Sequence, residues 1–391
     1  MRVVVVSAWE PWRVTDGAAF VLDHQLRELA GRHELTVLAA GAPLPRLKQV
    51  RDVADRYGDA KVSWYGTAVS SWADYLARLA WSARNREPAH VAYVERPELL
   101  LAFDDAMEAG ADVVHLHGWG TARLAERAGD VPAVHVAIDP WSANYSNRRL
   151  PPLRRALDVG QSTRVADHER RHYPAAAAVV VVTDADAELV RAVSPAAHVE
   201  VIPNGVEAGP DPAPATTADP VLGFHGVFDS RANVDAATNL VTQVLPRVRA
   251  SLPGTRALLA GRRPPREVRR LAGDGVEVRA DVPEMRSALD EMSVHVDWMT
   301  SGAGIKNKVL EAMAAGRPVV SSAAGAQGIG AGAGLVVAPD LASAAAEIVW
   351  LLSDPGMLQT AGAAARARVL ADFSWSANAD AIEALWQRVT R

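Results

Sequence analysis

The sequence predicts an α/β protein of two domains with a Rossmann-like plan, and three observations carry that expectation. The chain opens with an apolar run, Val3 to Ser7, followed by a loop, a helical pattern from Gly17 and a second apolar run, Leu35 to Leu38. A second strand, glycine loop, helix and strand recur between Val294 and Val320. Between the two halves lies GPDPAPATTADP, Gly209 to Pro220, which is proline-rich and has no apolar periodicity. The expected boundaries are 1–208 for the first domain, 209–220 for a linker, 221–374 for the second domain and 375–391 for a final helix.

Composition narrows the function classes. A chain of 391 residues has room for two ordinary domains, and its 49% hydrophobic and 22% charged content is that of a globular protein. A net charge of −5 gives no sign of a nucleic-acid partner. The absence of cysteine excludes disulfides, thiol catalysis and thiolate metal sites. Val3 to Val6 is too short an apolar run for a signal peptide, and no stretch is long enough for a spanning helix. The expectation is a cytoplasmic protein, monomer or homodimer, with peripheral membrane contact left open.

Within the first domain the β-loop-α-β opening lacks G-x-G-x-x-G, so a dinucleotide fingerprint is absent. The helix from Gly17 places Phe20, Val21, Leu26 and Leu29 on an apolar face. Helical patterns follow at 70–84 and 97–109, whereas 41–66 has no clear pattern. Asp112 to Trp119 reads as a strand running into a loop, with His115 and His117 expected on opposite faces. Val131 to Val136 is a further strand, ending at Asp139-Pro140-Trp141. Loops at the carboxyl ends of such strands carry Trp9, Trp12, Trp119 and Trp141, where tryptophan can stack on a sugar ring or an apolar acceptor. Core or hinge packing is the competing reading for each.

The segment 142–173 is rich in arginine (Arg148, Arg149, Arg154, Arg155, Arg164, Arg170, Arg171) and suits either an anionic surface or a solvated helix face. Asp184 and Asp186 form a D-x-D, but a helix start after Val179 to Val182, capped by Thr183 or Asp184, explains the acids without a metal.

The richest stretch is residues 298–322, WMTSGAGIKNKVLEAMAAGRPVVSS. Ile305, Val309, Ala312 and Met313 recur at helical spacing, Gly316 stops the helix and Pro318 opens the strand Val319-Val320. Such a unit brings helix N-terminal amides to an anionic group. The chain has only four lysines, Lys48, Lys61, Lys306 and Lys308, and two of them fall in the first turns of this helix. The helix dipole disfavours a cation there by about 0.3–1 kcal/mol, a penalty that a bound di-anion reverses. Glu311 can accept hydrogen bonds from a sugar diol. The alternative is a half-exposed helix with solvated lysines and Glu311 paired to Lys308 or Asn307.

GIKNKVLEAMAAGRPVVSS resembles the donor-binding signature of GT-B glycosyltransferases, in particular the retaining GT4 family, the glycosyl transferases group 1. Glu311 to Gly316 and Pro318 to Val320 match the second half of that signature closely. The family's first motif glutamate falls at Ala303, a departure that bears on the donor sugar. His115 to Trp119 (HLHGW) and Val201 to Val206 (VIPNGV) are also similar to family segments, and Asp281 to Glu284 resembles the loop lining the base pocket. Gly226-Val227 replaces the family's glycine-arginine and no lysine follows, so Arg231, with Lys306 and Lys308, is the substitute cation. The first loop, Asp16-Gly17-Ala18, has one glycine where the family has two.

The resemblance implies two Rossmann-like domains facing a cleft, with the last helix crossing back to the first, acceptor-binding domain. It implies retaining, metal-independent transfer from a nucleoside-diphosphate sugar to a hydroxyl acceptor: a natural product, a polysaccharide or a lipid-linked sugar. No cofactor is expected. The implied catalytic set is His117 beside the sugar, Arg231 and Lys308 on the diphosphate, and Glu311 on the ribose. Donor contacts extend to Gly17, Val282, Gly304, Ile305, Lys306 and Asn307. A non-catalytic nucleotide-sugar-binding protein, favoured by Ala303 and the lost glycine-arginine pair, and a GT-B-type epimerase are the alternatives.

Overall fold

The computed structural model describes residues 1–12, 17–41, 55–66, 72–146, 158, 160–228, 230–300 and 304–391. The chain divides into two units, Met1–Pro203 with Asn378–Arg391, and Asn204–Ala377. The first unit holds a seven-stranded parallel sheet: β1 (Arg2–Ser7), β2 (Glu34–Gly41), β3 (Lys61–Gly66), β4 (Val113–His117), β5 (Ala133–Ile138), β6 (Ala178–Val181) and β7 (Val199–Val201), in the order β3-β2-β1-β4-β5-β6-β7. The second holds six parallel strands: β8 (Val221–Val227), β9 (Arg256–Arg262), β10 (Val276–Ala280), β11 (Val294–Asp297), β12 (Val319–Ser321) and β13 (Leu335–Val337), in the order β10-β9-β8-β11-β12-β13. Parallel strands are covered on both faces, which is why β1, β4 and β11 read as unbroken apolar or buried runs. Strand order reverses between β1 and β4 and between β8 and β11. In doubly wound sheets those switch points open a crevice at the carboxyl ends of the strands.

The helix Asn307–Ala314 follows the pattern of its apolar residues. Val309, Leu310, Ala312 and Met313 are buried, and Gly316, at φ +67°, ends it in the left-handed conformation that glycine adopts without penalty. The Asp-x-Asp at 184–186 is a helix start: the Thr183 hydroxyl oxygen accepts from the Asp186 amide and donates to its carboxylate.

The proline-rich segment 209–220 is a part of the second unit. It is held there by arginines and a serine. The fully buried Arg317 donates to the carbonyls of Ala213 and of Met292, and Arg366 donates to Ala208 and Gly209. Ser293 donates to the Thr216 carbonyl at 2.6 Å. Prolines cannot pair through their own amides, so side chains from elsewhere satisfy the segment's carbonyls. The division of the chain falls earlier, after Pro203, where Val206 bonds the Phe373 carbonyl at 2.7 Å. Gly205 is required at this junction, because a Cβ there would lie 2.7 Å from the Trp375 backbone.

The last helix, Trp375–Val389, belongs to the first unit from Asn378 onward. Ala379, Ile382, Leu385 and Trp386 pack with Val3, Val5, Leu22 and Val113. Asn378 accepts from Gln25 at 2.9 Å and donates to the Pro203 carbonyl at 2.7 Å. Removing the fully buried Trp386 opens a large void, so Trp386→Ala is expected to destabilise this unit by about 3–5 kcal/mol in urea denaturation.

Candidate functional site

The switch point of the second sheet gathers most of the polar groups that the sequence singles out. Lys308 is the second residue of the helix Asn307–Ala314, and its side chain is only 13% exposed. Its ammonium donates to Asn233 Oδ1, lies 3.3 Å from Met299 Sδ and 4.9 Å from the Phe224 ring centre, and is 3.9 Å from Asp297 Oδ2. Burial pushes the Lys308 pKa down, against the pull of Asp297 and Glu311. Burial likewise pushes Asp297 up, and among the described residues neither of its carboxylate oxygens accepts a hydrogen bond. The site therefore holds a cation whose carboxylate counter-charge stays at a distance.

Asn233 is the residue that sequence reasoning missed. Its side-chain amide donates to the Val227 carbonyl at 2.7 Å while its oxygen takes the Lys308 ammonium. Gly226 permits this, since a Cβ there would meet the Asn233 amide at 3.2 Å. Arg231, the expected substitute cation, is committed elsewhere. Its guanidinium is 65% exposed and pairs with Asp235 at 2.7 Å and Glu267 at 3.1 Å. From this helix it is Asn233 that reaches Lys308.

Glu311, one turn beyond Lys308, is 44% exposed and pairs with His225 Nε2 at 2.8 Å, not with Lys308 or Asn307 as the alternative reading of the helix had it. His225 Nδ1 meets His295 Nε2 at 3.1 Å. Lys306 is buried and donates to the Gly304 carbonyl at 2.9 Å, in a turn where Gly304 has φ +71°. Asn307 accepts from Asn204 at 3.5 Å. Ile305 and Val282 are half-buried against the apolar layer beneath. Ala303 lies outside the described residues.

In the first unit His117 ends β4 at the corresponding switch point. It is fully buried, its Nε2 donates to the Ala18 carbonyl at 3.0 Å, and burial lowers its pKa to about 4. The imidazole is thus neutral near pH 7 and anchors the start of the helix Gly17–Leu29; it supplies no positive charge. The rings of His115 and His117 stack, 5.8 Å apart and 11° from parallel. They share one face, because residues two apart in a strand point the same way. Asp16 lies outside the described residues.

The tryptophans divide. Trp141 is fully buried and stacks on Trp119 at 5.7 Å, so it packs in the interior and presents no face to a ligand. Trp119 donates to Asp139 at 3.1 Å and meets Trp9 edge-on at 6.0 Å; both are half-buried. Gly118, at φ +94°, lets Trp9 approach, since a Cβ would lie 2.1 Å from its ring. Trp12 pairs instead with Trp64 at 5.6 Å.

The described part of the arginine-rich region includes a helix, Gln161–His172, with two faces. Arg170 pairs with Asp167 on the exposed side, whereas Val165, His168, Glu169 and His172 are buried. Arg148, Arg149, Arg154 and Arg155 lie outside the described residues. Among the described residues, Glu87, His168 and His172 have the spacing to ligate a metal. Each is already engaged: Glu87 accepts from His168 at 2.7 Å and from His172 at 3.0 Å, Arg171 lies 3.1 Å from it, and His172 reaches Glu126 at 2.6 Å. This is a closed ionic tie between helix Gln161–His172 and the chain near residue 87.

Residues 16–205 match the family described as glycosyl transferase 4-like domain, and residues 219–354 match glycosyl transferases group 1. No curated protein matches the sequence. Sucrose-phosphate synthase from Thermosynechococcus elongatus is similar in structure, with a TM-score of 0.64 at 18% identity over 100% of this chain and 99% of that one. TarM aligns with a TM-score of 0.67 at 11% identity, again over 100% of this chain and 99% of that one. The structure of Anabaena Alr3699/HepE in complex with UDP and glucose aligns at 0.61 and 14% identity, over 99% of this chain and 100% of that one. Two doubly wound units of this kind define the GT-B class of glycosyltransferase. The chain belongs to the glycosyl transferases group 1 family and is a sugar-transferring enzyme.

Burial acts to raise the Glu87 pKa, but hydrogen bonds from His168 and His172 hold it well below the carboxylate range. Burial opposes protonation of His172, yet Glu87 and Glu126 raise its pKa. The Glu87 contribution to stability is present above its unfolded pKa and lost as pH falls; that of His172 is present below its unfolded pKa and lost as pH rises through the raised value. Glu87→Gln removes the buried carboxylate from His172 and Arg171, leaving His172 only the half-exposed Glu126, and is expected to cost about 3–5 kcal/mol in urea denaturation near pH 6.

Proposed function

We propose that the enzyme transfers a sugar from a nucleoside-diphosphate sugar to a hydroxyl acceptor with retention of configuration and without a metal ion. The observation that carries this reading is the pairing of a buried ammonium, Lys308, with a half-exposed carboxylate, Glu311, one turn apart on a helix at the sheet's switch point. The diphosphate would lie at the Lys308 end of that helix, against amide groups and the ammonium, which stabilise charge building on the leaving group. Glu311 would take the ribose diol. Val282, Gly304, Ile305 and Asn307 would line the donor, and Lys306 would brace the turn that carries them.

In this reading Lys308 supplies the charge that a divalent cation supplies in enzymes using a D-x-D pair. Asp184 and Asp186 begin a helix here instead. The departing diphosphate takes the acceptor proton on the same face of the sugar, so no dedicated base is needed. His117 supports the first loop through Ala18. Trp9 and Trp119, half-buried at the ends of β1 and β4, suit a bulky acceptor better than a small one. Among the described residues no helix is long and apolar enough to cross a membrane. A cytoplasmic location and a monomeric or homodimeric state complete the proposal.

The test is thermal stabilisation by UDP, GDP, ADP and TDP, with and without magnesium. A ligand at a hundred times its Kd stabilises by about 2.7 kcal/mol. One nucleotide is expected to stabilise the protein without magnesium, and Lys308→Ala to raise its Kd by roughly 10- to 100-fold. Stabilisation by none, or an unchanged Kd for Lys308→Ala, would refute the donor site. Release of that diphosphate from its sugar conjugate separates the enzyme from a mere binding protein.

A further inference from the structure

Lys308 and Glu311 stand three apart on one helix, the spacing at which opposite charges pair. Among the described residues they do not pair with each other. Lys308 donates to Asn233 and lies 3.9 Å from Asp297, and Glu311 is taken by His225. Both Asn233 and His225 come from β8 or the helix that follows it, so one stretch of chain holds the two charges apart.

The carboxylate end of this chain of groups sets one proton. An ionised carboxylate only accepts, so His225 Nε2 carries the proton that meets Glu311 Oε2 at 2.8 Å. His225 Nδ1 in turn shares a hydrogen with His295 Nε2, 3.1 Å away. His295 Nδ1 is buried and, among the described residues, has no hydrogen-bond partner. His225 is itself 2% exposed and His295 fully buried, so the pair forms a rigid base beneath a carboxylate that is 44% exposed. A carboxylate offers about four acceptor positions, so one bond from His225 fixes its orientation and leaves the outer oxygen for a ligand.

We infer that His225, seated on His295, is a positioning residue that aims Glu311 at the donor ribose and prevents it from neutralising Lys308. This rests on the donor reading above and adds to it the residue that sets ribose recognition. Nothing in the helix alone would keep Glu311 off the ammonium, because the side chains are long enough to meet.

The experiment measures binding, by calorimetry, of the nucleoside diphosphate that stabilises the wild type and of its 2′,3′-dideoxy analogue. The proteins are wild type, H225A, H225Q, E311A and H225A/E311A, each checked for an intact melting transition. H225A is expected to lose about tenfold in affinity for the ribonucleotide and clearly less for the dideoxy analogue, which loses only what Glu311 takes from the Lys308 ammonium. H225Q, whose amide can still donate to the carboxylate, recovers most of the loss. H225A adds nothing in the E311A background. Equal losses for both nucleotides, an unchanged H225A, or a loss that persists beside E311A would each overturn the inference while leaving the donor site standing. Should H225A fail to melt cooperatively, H225Q decides: ribonucleotide affinity near wild type supports the positioning role, and a loss equal for both nucleotides overturns it. A wild type that binds none of the four nucleotides removes the donor reading and this inference together.

Discussion

A lysine ammonium taken out of water must find compensation, and the second unit is arranged around that need. Lys308 lies where β8 and β11 part, against Asn233, the Met299 sulfur and the Phe224 ring. Its carboxylate neighbour, Asp297, stays 3.9 Å away and is itself buried. A close buried ion pair would satisfy both charges internally. The looser arrangement leaves the ammonium short of a full counter-charge, with its pKa lowered by burial. A di-anion arriving at the helix N-terminus would supply what the protein withholds.

The parts around the ammonium follow from this constraint. Gly226 has no side chain because Asn233 passes close by. Gly316 ends the helix so that Arg317 can turn inward and secure the proline-rich segment. His225 keeps Glu311 from closing on Lys308. On the proposed donor reading, Lys308, held by Asn233, would supply the cation that the glycine-arginine pair of the resembled family places at Val227.

Much of this was legible in the residues. The apolar runs gave the strands, and the i, i+4, i+7, i+8 spacing after Ile305 gave the helix that carries Lys308 and Glu311. Their partners were not legible, because they lie far along the chain: 75 residues for Asn233 and 86 for His225. Arg231 was the nearest cation by sequence, yet acids on its own surface take it. Trp141 sits at a strand end like Trp9 and Trp119, and only tertiary packing shows that it is interior. The proline-rich segment resembled a free linker because its anchors, Arg317 and Arg366, are distant arginines that no local pattern marks. The buried side of helix Gln161–His172 was hidden because its inward residues include His168, Glu169 and His172, polar groups satisfied from distant parts of the chain, the histidines by Glu87 and the glutamate by the Ser142 amide.

The most direct measurement is a crystal structure of the protein grown with the nucleoside diphosphate it binds most tightly. Phosphate oxygens are expected within hydrogen-bond reach of the Lys308 ammonium and the ribose hydroxyls on Glu311, with His225 still bonded to that carboxylate. A diphosphate bound elsewhere, or Glu311 turned onto Lys308 with the ribose untouched, would contradict this.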